Sequence, residues 1–135
     1  MNKKLAAFFV AVVILLGALF LYKEISKIKV TAGQLAYEYS VDKNSADAKY
    51  LNEYIYVQGK VKAFYKLIDM YEVLELQTGN ENWNIFCFFT SSEVEYYARQ
   101  LQQEQEVTVQ GKCVGVDAYP FVRGIKIDVE EIKTN

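Results

Sequence analysis

The chain has 135 residues, of which 52% are hydrophobic and 24% charged, with 15 basic against 17 acidic side chains and no histidine. That is the length of one small domain, and the missing histidine removes the commonest general base and the commonest metal ligand. Two cysteines, Cys87 and Cys113, are too few for a zinc cage and too far apart for a CxxC site, so no metal or other cofactor is expected.

Residues 1–4 form a short tail carrying Lys3 and Lys4, and Leu5 to Tyr22, "LAAFFVAVVILLGALFLY", follows without a charge. As a helix these residues rise about 27 Å, close to the hydrocarbon thickness of a bilayer. A cleaved signal peptide has a shorter apolar run with a small-x-small site just beyond it. Here "ALFLYKEI" offers no such site, and "VTA" at Val30–Ala32 lies beyond several charges. Residues 5–22 therefore read as an uncleaved transmembrane signal anchor, with cleavage as the competing reading. Lys23, Lys27 and Lys29 follow the run, so the distribution of positive charge does not orient it. A short basic tail before an apolar run has the shape of an export signal. That places the remainder outside the cytoplasm, on a single span of the cell membrane. Setting aside Lys3 and Lys4 leaves 13 of the 15 basic residues against 17 acidic ones. This is not the balance of a sequence-independent nucleic-acid binder.

Residues 23–30, "KEISKIKV", read as a juxtamembrane spacer or a continuation of the helix. In "TAGQLAYEY", Thr31 suits a helix cap, with Gln34 as its reciprocal partner. "SVDKN" interrupts the pattern, and Asn44 with Asp47 suggests a second cap for a short helix ending near Tyr50. From Tyr54 the period becomes two: Ile55, Val57 and Val61 alternate with Tyr56, Gln58 and Lys60. A second strand is expected over 70–77, where the adjacent Val73 and Leu74 suggest a bulge. A third runs from Trp83 to Thr90, with Ile85, Cys87 and Phe89 inward and Phe86 and Phe88 outward. "TSSEVEYYARQL" reads as a helix capped by Thr90 with Glu93 or by Ser92 with Glu95. "EVTVQGKCVGV" alternates again, "DAYP" is a turn, and "FVRGIKIDVEEI" is the last strand.

The order strand-strand-strand-helix-strand-strand favours closure, because a flat sheet of five such strands leaves edges unprotected. In a five-stranded Greek-key barrel the first and fourth strands are neighbours. These two share the motif Val-Gln-Gly-Lys, at Val57–Lys60 and Val109–Lys112. Gly59 and Gly111 are then expected to be structural glycines that let each strand bend.

Residues 31–132 resemble the tRNA-anti-like family of OB-fold domains. The likeness is carried by Tyr39, Asn44, Ala46 and Tyr50, then Gly59 and Val61, then Ile85, Cys87 and Phe89, and finally Val107, Val109, Gly111, Cys113 and Gly115. It implies an all-β fold with accessory helices over residues 31–135: a five-stranded OB-fold Greek-key barrel behind the transmembrane helix and short α-helices. Relatives of this kind are bacterial proteins, often with an N-terminal anchor or a lipoprotein signal. The lipid-attachment cysteine of some of them is missing here.

An OB barrel presents a ligand face on its second and third strands, framed by two loops. On this chain that face holds Tyr65, Tyr71, Phe86, Phe88, Tyr119 and Phe121. Exposed rings there would stack on bases or sugars; rings packed under helices or into the core would not. Nearby Lys60, Lys62, Lys66 and Arg123 make a thin phosphate track. Cys87 and Cys113 share the inward parity and admit either a disulfide, which suits an oxidising compartment, or two buried thiols. Asp69, Glu72 and Glu75 read as a solvated strand face, and no phosphate-cradling glycine motif occurs. The expectation is a membrane-anchored binding module that is not an enzyme, with a protein or envelope partner. The alternative is nucleic-acid or oligosaccharide binding through the aromatic face.

Overall fold

A run of apolar residues with no polar stripe is either buried on all sides or meets lipid, and here it is not buried. In the computed structural model of the protein, α1 spans Lys3–Ile25. Its Lys3–Leu21 portion is long and apolar enough to cross a membrane, and none of it is buried against the rest of the chain. The structure describes residues 2–25, 27–67, 71–119 and 122–135, with side chains for all of these except 22–25, 67, 117–119 and 122.

The segment read as a spacer contains a strand, β1 (Ile28–Thr31). It pairs in parallel with β2 (Tyr54–Leu67), Ile28 opposite Ile55 and Thr31 opposite Gln58. Between them lie α2 (Ala32–Val41) and α3 (Lys43–Tyr50). The Thr31 hydroxyl caps α2 by accepting from the Gln34 amide at 3.1 Å. The second cap is Asp42, which accepts from the Asn44 and Ser45 amides, not Asn44. One residue ends the first helix and starts the second, so the break is tighter than expected.

Then come β3 (Tyr71–Leu76), β4 (Asn84–Phe89), α4 (Ser92–Arg99), β5 (Glu106–Tyr119) and β6 (Val122–Thr134). The α4 cap is Ser91, which accepts from the Val94 amide; neither Thr90 nor Ser92 takes that place. Asp117 to Tyr119, read as part of a turn, continue β5, while Pro120 lies outside the described residues.

The strands run β1-β2-β3-β4-β6-β5, and β2 also pairs with β5. That last pairing closes a five-stranded barrel with β1 appended. It is antiparallel, from Tyr54 opposite Lys112 to Lys60 opposite Glu106, so the two Val-Gln-Gly-Lys strands are neighbours as the topology required. Ile55, Val57, Val61, Leu74, Leu76, Ile85, Cys87, Val107, Val109, Cys113, Ile125, Ile127 and Val129 fill the interior. Leu35, Ala36, Tyr39, Ala46 and Tyr50 bring α2 and α3 onto the same core, and Ala98 brings α4.

The two glycines serve different contacts. A β-carbon on Gly111 would lie 2.1 Å from the Asp128 carbonyl oxygen. Here β5 and β6 shift register, Gln110 facing Glu131 and Gly111 facing Val129, so Glu130 is the extra residue of a bulge. A β-carbon on Gly59 would lie 2.9 Å from that of Ala32. One edge of β2 passes from β1 to β3 at this point, and the chain leaving β1 turns over Gly59 to start α2.

Candidate outer-face site

Which side chains reach the outside of β2, β3 and β4 follows from register. Tyr65 lies opposite Val73 and Ala63 opposite Glu75. Glu75 lies opposite Phe86, which lies opposite Lys126, while Phe88 lies opposite Asp128. Two cross-strand rows result. The adjacency of Val73 and Leu74 is thereby explained without a bulge in β3. Leu74 enters the barrel and Val73 joins a second cluster on the outside with Phe86, Phe88 and Tyr65. The bulge of this hairpin lies on β2, between Val61 and Ala63.

This cluster corrects the stacking platform. Phe86 is 1% exposed and Phe88 9%, so neither ring offers a free face to a base. A β-carbon at Gly124 would fall 2.1 Å from the Phe86 ring, which shows how closely β6 lies on it. The Lys126 ammonium sits 4.7 Å from the Phe88 ring centroid. Tyr65 is half-buried, and its hydroxyl donates to Glu75 at 2.8 Å; burial and this hydrogen bond push the phenol up. Tyr71 is the exception at 59% exposed, standing edge-on to Phe88 with centroids 6.2 Å apart. The Tyr119 side chain and Phe121 lie outside the described residues.

Glu75 does not belong to a solvated face. It is 6% exposed and accepts from Lys62 at 3.1 Å as well as from Tyr65. Lys62 also donates to Asn84 at 3.4 Å. A buried carboxylate must be paired, and its partners were visible in the facing strand of the hairpin, where Lys62 and Tyr65 flank the opposing position. The pairing of Glu72 with Arg99 of α4 was not visible, because it depends on how α4 packs. Glu95 stands 3.6 Å from the same guanidinium. A hydrogen bond between Glu72 and Glu95, then Arg99, holds Glu72 low, and the same bond to Glu72 raises Glu95. Asp69 lies outside the described residues. An open cleft of about 350 Å³ runs between Tyr71, Glu72, Phe88, Glu95, Lys126 and Asp128. Its charge is mixed, which is unlike a phosphate track.

The cysteines do not form the bridge considered from sequence. Both are free and buried. Cys87 of β4 and Cys113 of β5 each face Ile127, from opposite sides of β6. Two strand spacings on a curved sheet separate their backbones by roughly 8–10 Å, beyond the ~7 Å limit for a disulfide. Burial pushes both thiols up. Cys113 Sγ lies 3.7 Å from the Tyr39 hydroxyl, which donates to Asp47 at 3.0 Å. Tyr39 in turn packs against Tyr50 and Trp83, with centroids 6.3 Å away in both pairs. The aromatic residues before the first barrel strand are therefore a cover for the core.

The family model described as tRNA_anti-like matches residues 1–126. No curated protein matches the sequence. Among solved structures, the chain is similar to a protein described as an aspartyl-tRNA synthetase from Leishmania major Friedlin, with TM-score 0.58 and 13% identity over 81% of this chain and 21% of that one. The chain thus spans about a fifth of that protein's length. It is also similar to the OBody AM3L09 bound to hen egg-white lysozyme, with TM-score 0.50 and 14% identity over 62% of this chain and 82% of that one. At these identities the likeness is one of fold, an OB barrel.

Proposed function

Because the chain belongs to the tRNA_anti-like family and closes the barrel described above, we propose that it is a non-catalytic, membrane-anchored module that recognises a protein partner. In this reading α1 is an uncleaved signal anchor, and the barrel lies outside the cytoplasm. The partner surface is the outside of β3 and β4 around Tyr71. The observation that carries the reading is the state of the aromatic face. Phe86 and Phe88 are packed into a floor, and among the described residues of this face the exposed ring is Tyr71, which stands edge-on to Phe88 and is ringed by both signs of charge. Tyrosine and arginine on a firm apolar base, with a mixed polar rim, suit protein recognition. Base stacking needs open rings and a positive groove. The carboxylates Glu72 and Glu75 are tied to Arg99 and Lys62, which suits support of a surface better than proton transfer. The OBody of similar fold was solved with a protein, hen egg-white lysozyme, bound.

A photo-crosslinking residue placed at Tyr71 of the full chain in cells tests this. A discrete protein adduct is expected there and not from Tyr37 of α2, which is as exposed as Tyr71. Salt-dependent binding of the purified chain to single-stranded nucleic acid, lost in Tyr71→Ala, would overturn the proposal in favour of nucleic-acid recognition.

A further inference from the structure

A second surface gains a role from the reading of α1 as an anchor, on which this inference rests. β1 begins at Ile28, three residues after α1 ends at Ile25, so the strand starts within roughly 11 Å of the helix end. A strand held that close to a membrane-spanning helix lies at the level of the lipid headgroups. Its outward residues continue across the sheet: Lys29 faces Tyr56, Thr31 faces Gln58, Gln58 faces Thr108, and Thr108 faces Lys133. Together with Lys27 these residues line an open cleft of about 550 Å³. The Lys27 ammonium sits 5.4 Å from the Tyr56 ring centroid. Three lysines from the juxtamembrane segment and the far end of β6 thus converge on one cleft. Among the described residues, Glu131 stands 3.8 Å from Lys133, and Asn135 also lines the cleft.

We propose that this outer face of β1, β2 and β5 docks on the anionic phospholipid headgroups of the membrane that α1 spans. Lysines tethered near an anionic surface are drawn to it within a Debye length, and a tyrosine ring suits the same interfacial layer. The consequence for the barrel is its orientation. In the closed order β2-β3-β4-β6-β5, β3 and β4 are the strands farthest round from β5. Docking through β5 turns Tyr71 away from the bilayer, where a partner reaches it.

The test uses the full chain in nanodiscs of phosphatidylcholine alone or mixed with phosphatidylglycerol. An amine-reactive reagent and mass spectrometry then read modification at each lysine. Labelling of Lys29 and Lys133 is expected to fall several-fold with phosphatidylglycerol and to return at high salt, while Lys62 and Lys126 on the far face stay unchanged. Equal labelling in the two lipids overturns the docking, as does equal protection in both, which would remove charge as its cause. Protection of these lysines by an added single-stranded oligonucleotide, and not by the anionic lipid, would also overturn it. Co-purification of the chain with the nanodiscs is scored separately. Loss of that association refutes the anchor itself, whereas retention without lysine protection refutes only the docked face.

Discussion

Replacing Gly111 by alanine sets a methyl carbon 2.1 Å from the Asp128 carbonyl oxygen and 2.8 Å from the Val129 Cα. An ordinary contact of this kind is about 3.5 Å, so the two backbones must part by roughly an ångström. Neither obstacle is a side chain that can swing aside, and the separation falls where the β5–β6 ladder is already interrupted by its bulge. Forced overpacking costs about 1–3 kcal/mol where side chains adjust. A backbone clash belongs at or beyond the upper end, about 3 kcal/mol or more. For a domain of this size 1 kcal/mol lowers Tm by about 4–8 °C, so the loss is at least ~12 °C. Gly59→Ala provides the comparison, because its methyl would meet the Ala32 methyl at 2.9 Å. There the first turn of α2 can yield, and a cost of about 1–2 kcal/mol is expected. Thermal unfolding of both variants in detergent, followed by circular dichroism, separates the cases. If Gly111→Ala melts no lower than Gly59→Ala, the close approach of β5 to β6 is not as described.

Other consequences are simpler to read. Cys87 and Cys113 are free, buried and pushed up by desolvation. Alkylation of the native chain at pH near 8 should leave both unmodified, and unfolding without reductant should release two thiols; none released would mean a bridge. Ser91→Ala removes the hydroxyl that accepts from the Val94 amide and should lower stability by about 1 kcal/mol; an unchanged melting temperature would place the helix start elsewhere. Tyr39 and Tyr65 have phenols raised above the ordinary value, first by burial. A raised group contributes stability that is full below its unfolded pKa, about 10, and is lost as pH rises beyond it towards the folded value. Denaturant midpoints should therefore hold up to that pH and fall above it, less steeply in Tyr65→Phe; a wild-type midpoint flat beyond pH 10 would contradict their burial.

What could be read from sequence was set by how many faces each strand buries. β2, β5 and β6 bury one side in the barrel, and the alternation read in β2 placed Ile55, Val57 and Val61 on the correct face. β3 and the middle of β4 bury both sides, so Val73 beside Leu74 looked like a fault in the pattern. Phe86 and Phe88 looked like an open binding surface for the same reason: outward parity does not say whether neighbours will cover the ring. β1 is only four residues long, and its Ile28–Lys29–Val30–Thr31 alternation is hidden among lysines that suit a spacer equally well. Two of the three caps were misplaced by one or two residues because Asp42 and Asn44, like Ser91 and Ser92, stand close together and only packing decides where each helix begins. Inward parity of two cysteines likewise carries no information about the strand that separates them.

The pairing of β2 with β5 decides whether the barrel closes and whether the outer face exists as described. Gln58 and Thr108 are directly opposite across that seam, at a separation of about 4.5–5.5 Å, which a disulfide can span. The full chain carrying Gln58→Cys and Thr108→Cys should form that crosslink on mild oxidation of the folded protein, with Cys87 and Cys113 remaining reduced. If oxidation gives no intramolecular bond between these positions in folded protein, the strands are not neighbours and the barrel is not closed there.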